Sequence, residues 1–313
     1  MKIKNRFKKT KKRIILIRII LMFSVLINIG LIGAGSYCYY NFHIVKEKLE
    51  IDFYANKTQV STSDRFKSYL DKTQTKEEFV SHNGKKIAYS IMQLNNEKKN
   101  TTIFIVGGLP GIDIHWADFT NEVKSQANVI VLHPSGYQPS EGIRTTSNII
   151  DSTHVAYRAI MDRYELWNTR KVFIGESMGG NVIAHLSQSF DSEILILHHP
   201  MPSVQQAAGY NIVKLDGKKE DTIPYIIYDF IGNPKLENML PKTKSKNGFM
   251  TIGEKDTITD PKDQLAAYEA TVKAGKSFRL LSTKDDDHWS TNINQLVQMS
   301  FYGLPDQFSD NKD

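Results

Sequence analysis

The chain holds one cysteine, Cys38, in 313 residues, which excludes an intramolecular disulfide and any metal site built from clustered thiolates. Acids are missing from the first 18 residues, which carry nine Lys or Arg. Beyond that stretch, 31 basic residues face 34 acidic ones, so the net charge of +6 belongs to the tail. The remainder is close to neutral, and nucleic-acid binding loses its main support. Neither an internal repeat nor a low-complexity tract is present. Wholesale disorder is excluded as well, because 40% of the residues are hydrophobic and only 24% charged.

What the sequence does have begins with an uncharged run of 20 residues, Ile19 to Cys38. At 1.5 Å per residue, a helix of that length crosses a hydrocarbon core of ~30 Å. Arg18 sits where its stem can snorkel to the headgroups, and Tyr37, Tyr39, Tyr40 and Phe42 mark the far edge as an aromatic belt would. The cations precede the span, so the positive-inside rule predicts a cytoplasmic tail over 1–13 and a transmembrane signal-anchor helix over 14–38. Everything from about residue 41 is then expected outside the cell membrane. The small residues Gly33, Ala34, Gly35 and Ser36 keep open the alternative of a cleaved signal peptide. The polar stretch 39–78 reads as a stalk that joins the anchor to a domain over 79–313.

From Phe79 the pattern changes. Two strand-like runs flank Asn83-Gly84, a hairpin signal. Thereafter short apolar runs alternate with amphipathic stretches. Strands are predicted over 102–106, 128–132, 171–174, 193–197, 248–252 and 277–281. Helices are predicted over 116–125, 147–166, 180–190, 261–274 and 292–301. Runs such as Ile103-Phe104-Ile105-Val106 are apolar without alternation, as strands buried on both faces of a parallel sheet are. The predicted class is α/β, a mostly parallel central sheet with helices on both faces.

Strand 171–174 runs into Gly175-Glu176-Ser177-Met178-Gly179 and then a helix, a G-x-S-x-G in strand–turn–helix context. Small residues flank the serine because the turn is strained and strand and helix pass closely. The helix aims its positive dipole end at the serine, where negative charge would develop. A serine nucleophile needs a base, and the base an orienting acid. His288 follows the last predicted strand and Asp256 the one before it, so Ser177, Asp256 and His288 all lie past C-terminal strand ends. Asp260, before Pro261, is the better-placed helix cap, which frees Asp256 for His288; Glu254 is the reserve acid. His198 and His199 line the pocket or pack structurally, and His115 and Trp116 are open between pocket wall and core. The acidic run Asp285–Asp287 is given no catalytic role.

On these residues the stretch from Phe79 to Phe301 resembles the α/β-hydrolases. The order of nucleophile, acid and histidine matches that family, and Gly107-Gly108-Leu109-Pro110-Gly111 stands where the family keeps its oxyanion loop. His133 stands where an Asp is common in the Gly-rich segment after the next strand. The resemblance implies an α/β-hydrolase fold with a short cap over 201–246. It also implies oxyanion donors at Met178 and at Gly108 or Leu109, and neither cofactor nor metal. The implied activity is a serine esterase acting on a small-molecule or lipid-like ester, and the anchor expected over 14–38 would hold it at the membrane. A prolyl-aminopeptidase-like peptidase and a non-catalytic binding module are the alternatives.

Overall fold

The apolar runs do become strands that are buried along their whole length. Thr101–Val106 (β3), Ala127–His133 (β4) and Ile194–His198 (β6) have no exposed residue. The computed structural model describes residues 36, 37, 40, 44, 62–91, 99–109, 111, 112, 114–203 and 235–302. Residues 1–49 and 50–313 form separate units, and the architecture below is that of the second. The anchor expected over 14–38 lies, apart from Ser36 and Tyr37, outside the described residues. Among the described residues no helix is long and apolar enough to cross a membrane.

Among the described residues the sheet has eight strands. Lys76–His82 (β1) and Lys85–Ile91 (β2) form the hairpin around Asn83-Gly84, and both pair antiparallel, β2 also with β4. Arg170–Glu176 (β5), Asn247–Gly253 (β7) and Ser277–Thr283 (β8) complete it in the order β1-β2-β4-β3-β5-β6-β7-β8. All pairings from β4 to β8 are parallel.

Alternate side chains point to opposite faces. Phe104, Val106 and Phe173 meet helices Thr146–Arg163 (α3) and Met178–Ser189 (α4), while Ile103, Ile105 and Ile174 meet His115–Val123 (α2). Pro261–Lys273 (α6) joins the first face and Ile293–Phe301 (α7) the second.

Helix Thr62–Thr73 (α1) corrects the expected domain boundary. The stalk expected over 39–78 does not extend through this helix, because Phe66 and Tyr69 are fully buried against the α2 face of the sheet. Tyr69 shares a hydrogen bond of 2.9 Å with Thr120 of α2, and Phe66 stacks on His133 at 4.5 Å. The domain therefore includes α1, and β1 begins at Lys76 and not at Phe79.

Of the expected cap over 201–246, residues 204–234 lie outside the described ones. Its C-terminal end is core: Leu236 and Leu240, from the short helix Leu236–Met239 (α5) and the turn after it, are fully buried.

Candidate active site

Ser177 sits between β5 and α4 with φ 50° and ψ −119°, a region costly for a residue with a Cβ. The surroundings over-determine that conformation. Ser177 N–H donates to His198 O (3.0 Å), and its carbonyl accepts from Gly180 N–H (3.0 Å) and Met201 N–H (2.8 Å). The glycines are required by contact. A Cβ on Gly175 would stand 2.4 Å from Gly179 O, and one on Gly179 would stand 2.1 Å from Val106 O and 2.5 Å from Gly107 O. This close approach sets the start of the loop after β3 against the N-terminus of α4.

The structure brings Ser177, Asp256 and His288 together. His288 Nε2 is 3.0 Å from Ser177 Oγ, and Nδ1 is 2.8 Å from Asp256 Oδ2. All three are buried, Ser177 the least at 8% exposed. The loops after β7 and β8 can meet because Gly253 has no side chain: a Cβ there would lie 2.4 Å from Asp286 O.

Asp256 Oδ1 accepts from the N–H groups of Ile258 (2.7 Å) and Thr259 (2.8 Å). Oδ2 accepts from Thr259 Oγ1 (2.7 Å) and Gln264 Nε2 (3.2 Å) as well as facing His288. Burial alone would raise this carboxyl. The hydrogen bond and charge of His288 and the two Thr259 donors outweigh it, and bring Asp256 from 3.8 down to about 2. An ionised carboxylate only accepts hydrogen bonds, so the proton of a neutral His288 sits on Nδ1. Nε2 is then free to accept from the serine hydroxyl.

The other candidates fall into place around these three. Asp260 caps α6 by accepting from Lys262 N–H (2.9 Å), with Pro261 at the first helical position. Glu254 bonds Ser282 on the surface. Asp285 pairs with Lys255, and Asp287 orders its own loop through Trp289 and Ser290. His198 is held at both ring nitrogens, by Thr251 (2.7 Å) and Thr291 (3.1 Å). His199, at φ 42°, buries Nδ1 without a hydrogen-bond partner among the described residues, and its ring centre lies 6.2 Å from that of His288.

Met178 opens α4, where N–H groups have no intrahelical acceptor, and its sulfur accepts from buried Tyr137 O–H (3.0 Å). Gly108 and Leu109 lie in the loop after β3, where Gly108 O takes Gly111 N–H (2.9 Å). A small recess beside Met178 is lined by Ile149, Ile150, Asn181, Val182 and Met201. Among the described residues, no three His, Cys, Asp or Glu side chains are grouped to hold a metal ion.

Sequence reasoning did not single out Glu176. It ends β5, is 5% exposed, accepts from Trp116 Nε1–H (2.7 Å) and lies 3.3 Å from His115 Nε2. Burial would raise its carboxyl. The His115 contact, the charges of His115 and His198 and the Trp116 bond overcome that and lower it from 4.5 to about 2. The available signal was its position, a charge inside the motif at the end of an otherwise apolar strand.

Both carboxylates bind protons more weakly folded than unfolded. Each therefore adds stability above its unfolded value that disappears as pH falls toward about 2. Denaturant unfolding at pH 5 and pH 3 is expected to show a loss of about 1 kcal/mol from Asp256 and about 2 kcal/mol from Glu176. Glu176→Gln and Asp256→Asn should each flatten the slope relative to wild type. Parallel curves would refute the assignment.

No protein-family model matches the sequence, and no curated protein matches it in sequence. Solved structures do match in fold. The Pyrococcus furiosus esterase Pf2001 superposes with a TM-score of 0.57 and 17% identity, over 70% of this chain and 85% of the esterase. Acetyl xylan esterase 1 from Thermoanaerobacterium sp. JW/SL YS485 gives 0.54 and 15%, over 78% and 93%. The acylaminoacyl peptidase of Pyrococcus horikoshii gives 0.51 and 12%, over 73% of this chain and 38% of the peptidase. At these identities the likeness speaks for architecture alone, and that architecture is α/β-hydrolase-like.

Proposed function

We propose that the chain is a serine hydrolase acting on carboxylic esters. The observation that carries this reading is the continuous relay Ser177 Oγ, His288 Nε2, His288 Nδ1, Asp256 Oδ2, with contacts of 3.0 and 2.8 Å. Ser177 Oγ attacks the ester carbonyl while His288 Nε2 takes its proton. The oxyanion is met by the N–H of Met178 and that of Gly108 or Leu109. His288 then returns the proton to the departing alcohol, and water, activated by the same imidazole, releases the acid. Asp256 holds the imidazole in the tautomer this requires. The esterases among the fold neighbours favour an ester, and the peptidase neighbour keeps amide cleavage as the rival.

A fluorophosphonate probe is expected to label wild type and not Ser177→Ala. p-Nitrophenyl esters should turn over faster than aminoacyl p-nitroanilides. No labelling of wild type would leave a binding module, and faster anilide cleavage would make the chain a peptidase.

The same reading places the domain outside the cell membrane on an uncleaved anchor over 14–38. It is supported by nine cations before a 20-residue uncharged run. Protease added to spheroplasts is expected to digest the domain. Its full protection would reverse the orientation, and a soluble product beginning after residue 35 would mean a cleaved signal.

A further inference from the structure

Directly beneath the nucleophile lies a polar cluster that the relay does not use. Glu176, Trp116, His115 and His198 meet there from β5, α2 and β6, and Glu176, Trp116 and His198 are each at most 5% exposed. A buried carboxylate is costly unless its oxygens are matched by donors. Here Oε2 takes the Trp116 N–H at 2.7 Å and Oε1 faces His115 Nε2 at 3.3 Å. An apolar residue would have filled the position without that cost, as Ile174 does two residues earlier on the same face.

The placement of the partners is informative. His115 and Trp116 are the first two residues of α2, four and five positions after Gly111. The loop that leads into α2 begins at Gly107, where a Cβ on Gly179 of α4 would meet the Val106 and Gly107 carbonyls. Glu176 is bonded in sequence to Ser177. One carboxylate therefore joins the nucleophile's own backbone to the far end of the loop that carries the second set of proposed oxyanion donors. Across the strand pair, Glu176 is in register with His198, whose ring reaches Thr291, three residues past His288. The titratable groups facing Glu176 are His115 from α2, His198 from β6 and His199 just beyond it.

We propose that Glu176 is a positioning residue, whose carboxylate fixes the Gly107–Gly111 loop at the distance from Ser177 that the developing oxyanion requires. This rests on the hydrolase reading and adds to it a reason for the charge inside the motif. Glu176 touches neither substrate nor the reacting hydroxyl; it acts through α2. A misplacement of about 1 Å in such a device can cost on the order of 100-fold in rate.

The test compares full-length wild type with Glu176→Gln and Trp116→Phe on one p-nitrophenyl ester, together with a trifluoromethyl ketone that forms a tetrahedral adduct on the serine. Glutamine keeps an acceptor for Trp116 and loses the charge facing His115. Phenylalanine keeps the ring and loses the N–H. Glu176→Gln is expected to lower kcat roughly 10- to 100-fold with KM within about twofold, and to weaken the ketone by the same factor. Trp116→Phe should shift kcat and ketone affinity in the same direction, and it carries the test if Glu176→Gln does not fold. An active wild type beside folded variants with unchanged kcat would overturn this inference alone. Loss confined to KM would overturn it as well, because the residue would then serve ground-state binding. A wild type that neither labels with fluorophosphonate nor turns over would overturn the hydrolase reading and this inference together.

Discussion

His288→Ala is expected to lower kcat on the order of 10⁶-fold, the scale on which removal of the base alone silences a serine hydrolase. A serine hydroxyl is a weak nucleophile at neutral pH, and the imidazole at 3.0 Å is placed to take its proton. The neighbouring histidines are not placed to substitute. His198 has both nitrogens engaged by threonines, and the His199 ring centre lies 6.2 Å from that of His288. Affinity for a product carboxylate should change far less than kcat, since the imidazole contributes mainly in the transition state. Steady-state kinetics beside product-binding calorimetry would check this. Wild-type turnover in His288→Ala, together with its loss in His199→Ala, would move the base to the end of β6.

Asp256→Asn is expected to lower kcat about 10⁴-fold with the fold retained. The Oδ1 bonds to Ile258 and Thr259 survive in asparagine, so the loop keeps its shape. An amide turned toward His288 presents N–H where the carboxylate accepted, and the imidazole must then carry its proton on Nε2, facing Ser177. A base protonated at that atom cannot take the hydroxyl proton. Asp260→Asn is the control, because asparagine caps a helix about as well as aspartate. The acid would have to be reassigned if the two variants exchanged behaviour.

The parts of this molecule that announce themselves in the sequence are those dictated by local chemistry. Ile103–Val106 reads as a strand because both its faces are covered. Asn83-Gly84 reads as a hairpin because both residues have positive φ. Gly175 and Gly179 read as an elbow because backbone passes where a Cβ would be. Asp256 was separable from Asp260 because Pro261 marks a helix start.

What did not announce itself depends on distant partners. In α1, Phe66, Tyr69, Leu70 and Thr73 form a helical stripe, but it is narrow and embedded in charge. Its burial follows from Thr120 and His133, 51 and 67 positions away from Tyr69 and Phe66. His133 fits there uncharged, since burial lowers it from 6.5 to about 3. Glu176 stayed hidden for a similar reason: its role depends on Trp116, 60 residues earlier.

The separation of 111 residues between Ser177 and His288 has a consequence for the timing of activity. His288, the proposed base, lies past β8, which among the described residues is an edge strand paired with β7. A nascent chain that has released β1 to β7 and the turn after them holds the proposed nucleophile Ser177 and acid Asp256 but not His288. On the proposed mechanism it cannot yet cleave an ester. Under that mechanism, competence arrives when β8 and the loop after it are laid down, so the order of synthesis itself would keep the unfinished molecule inert.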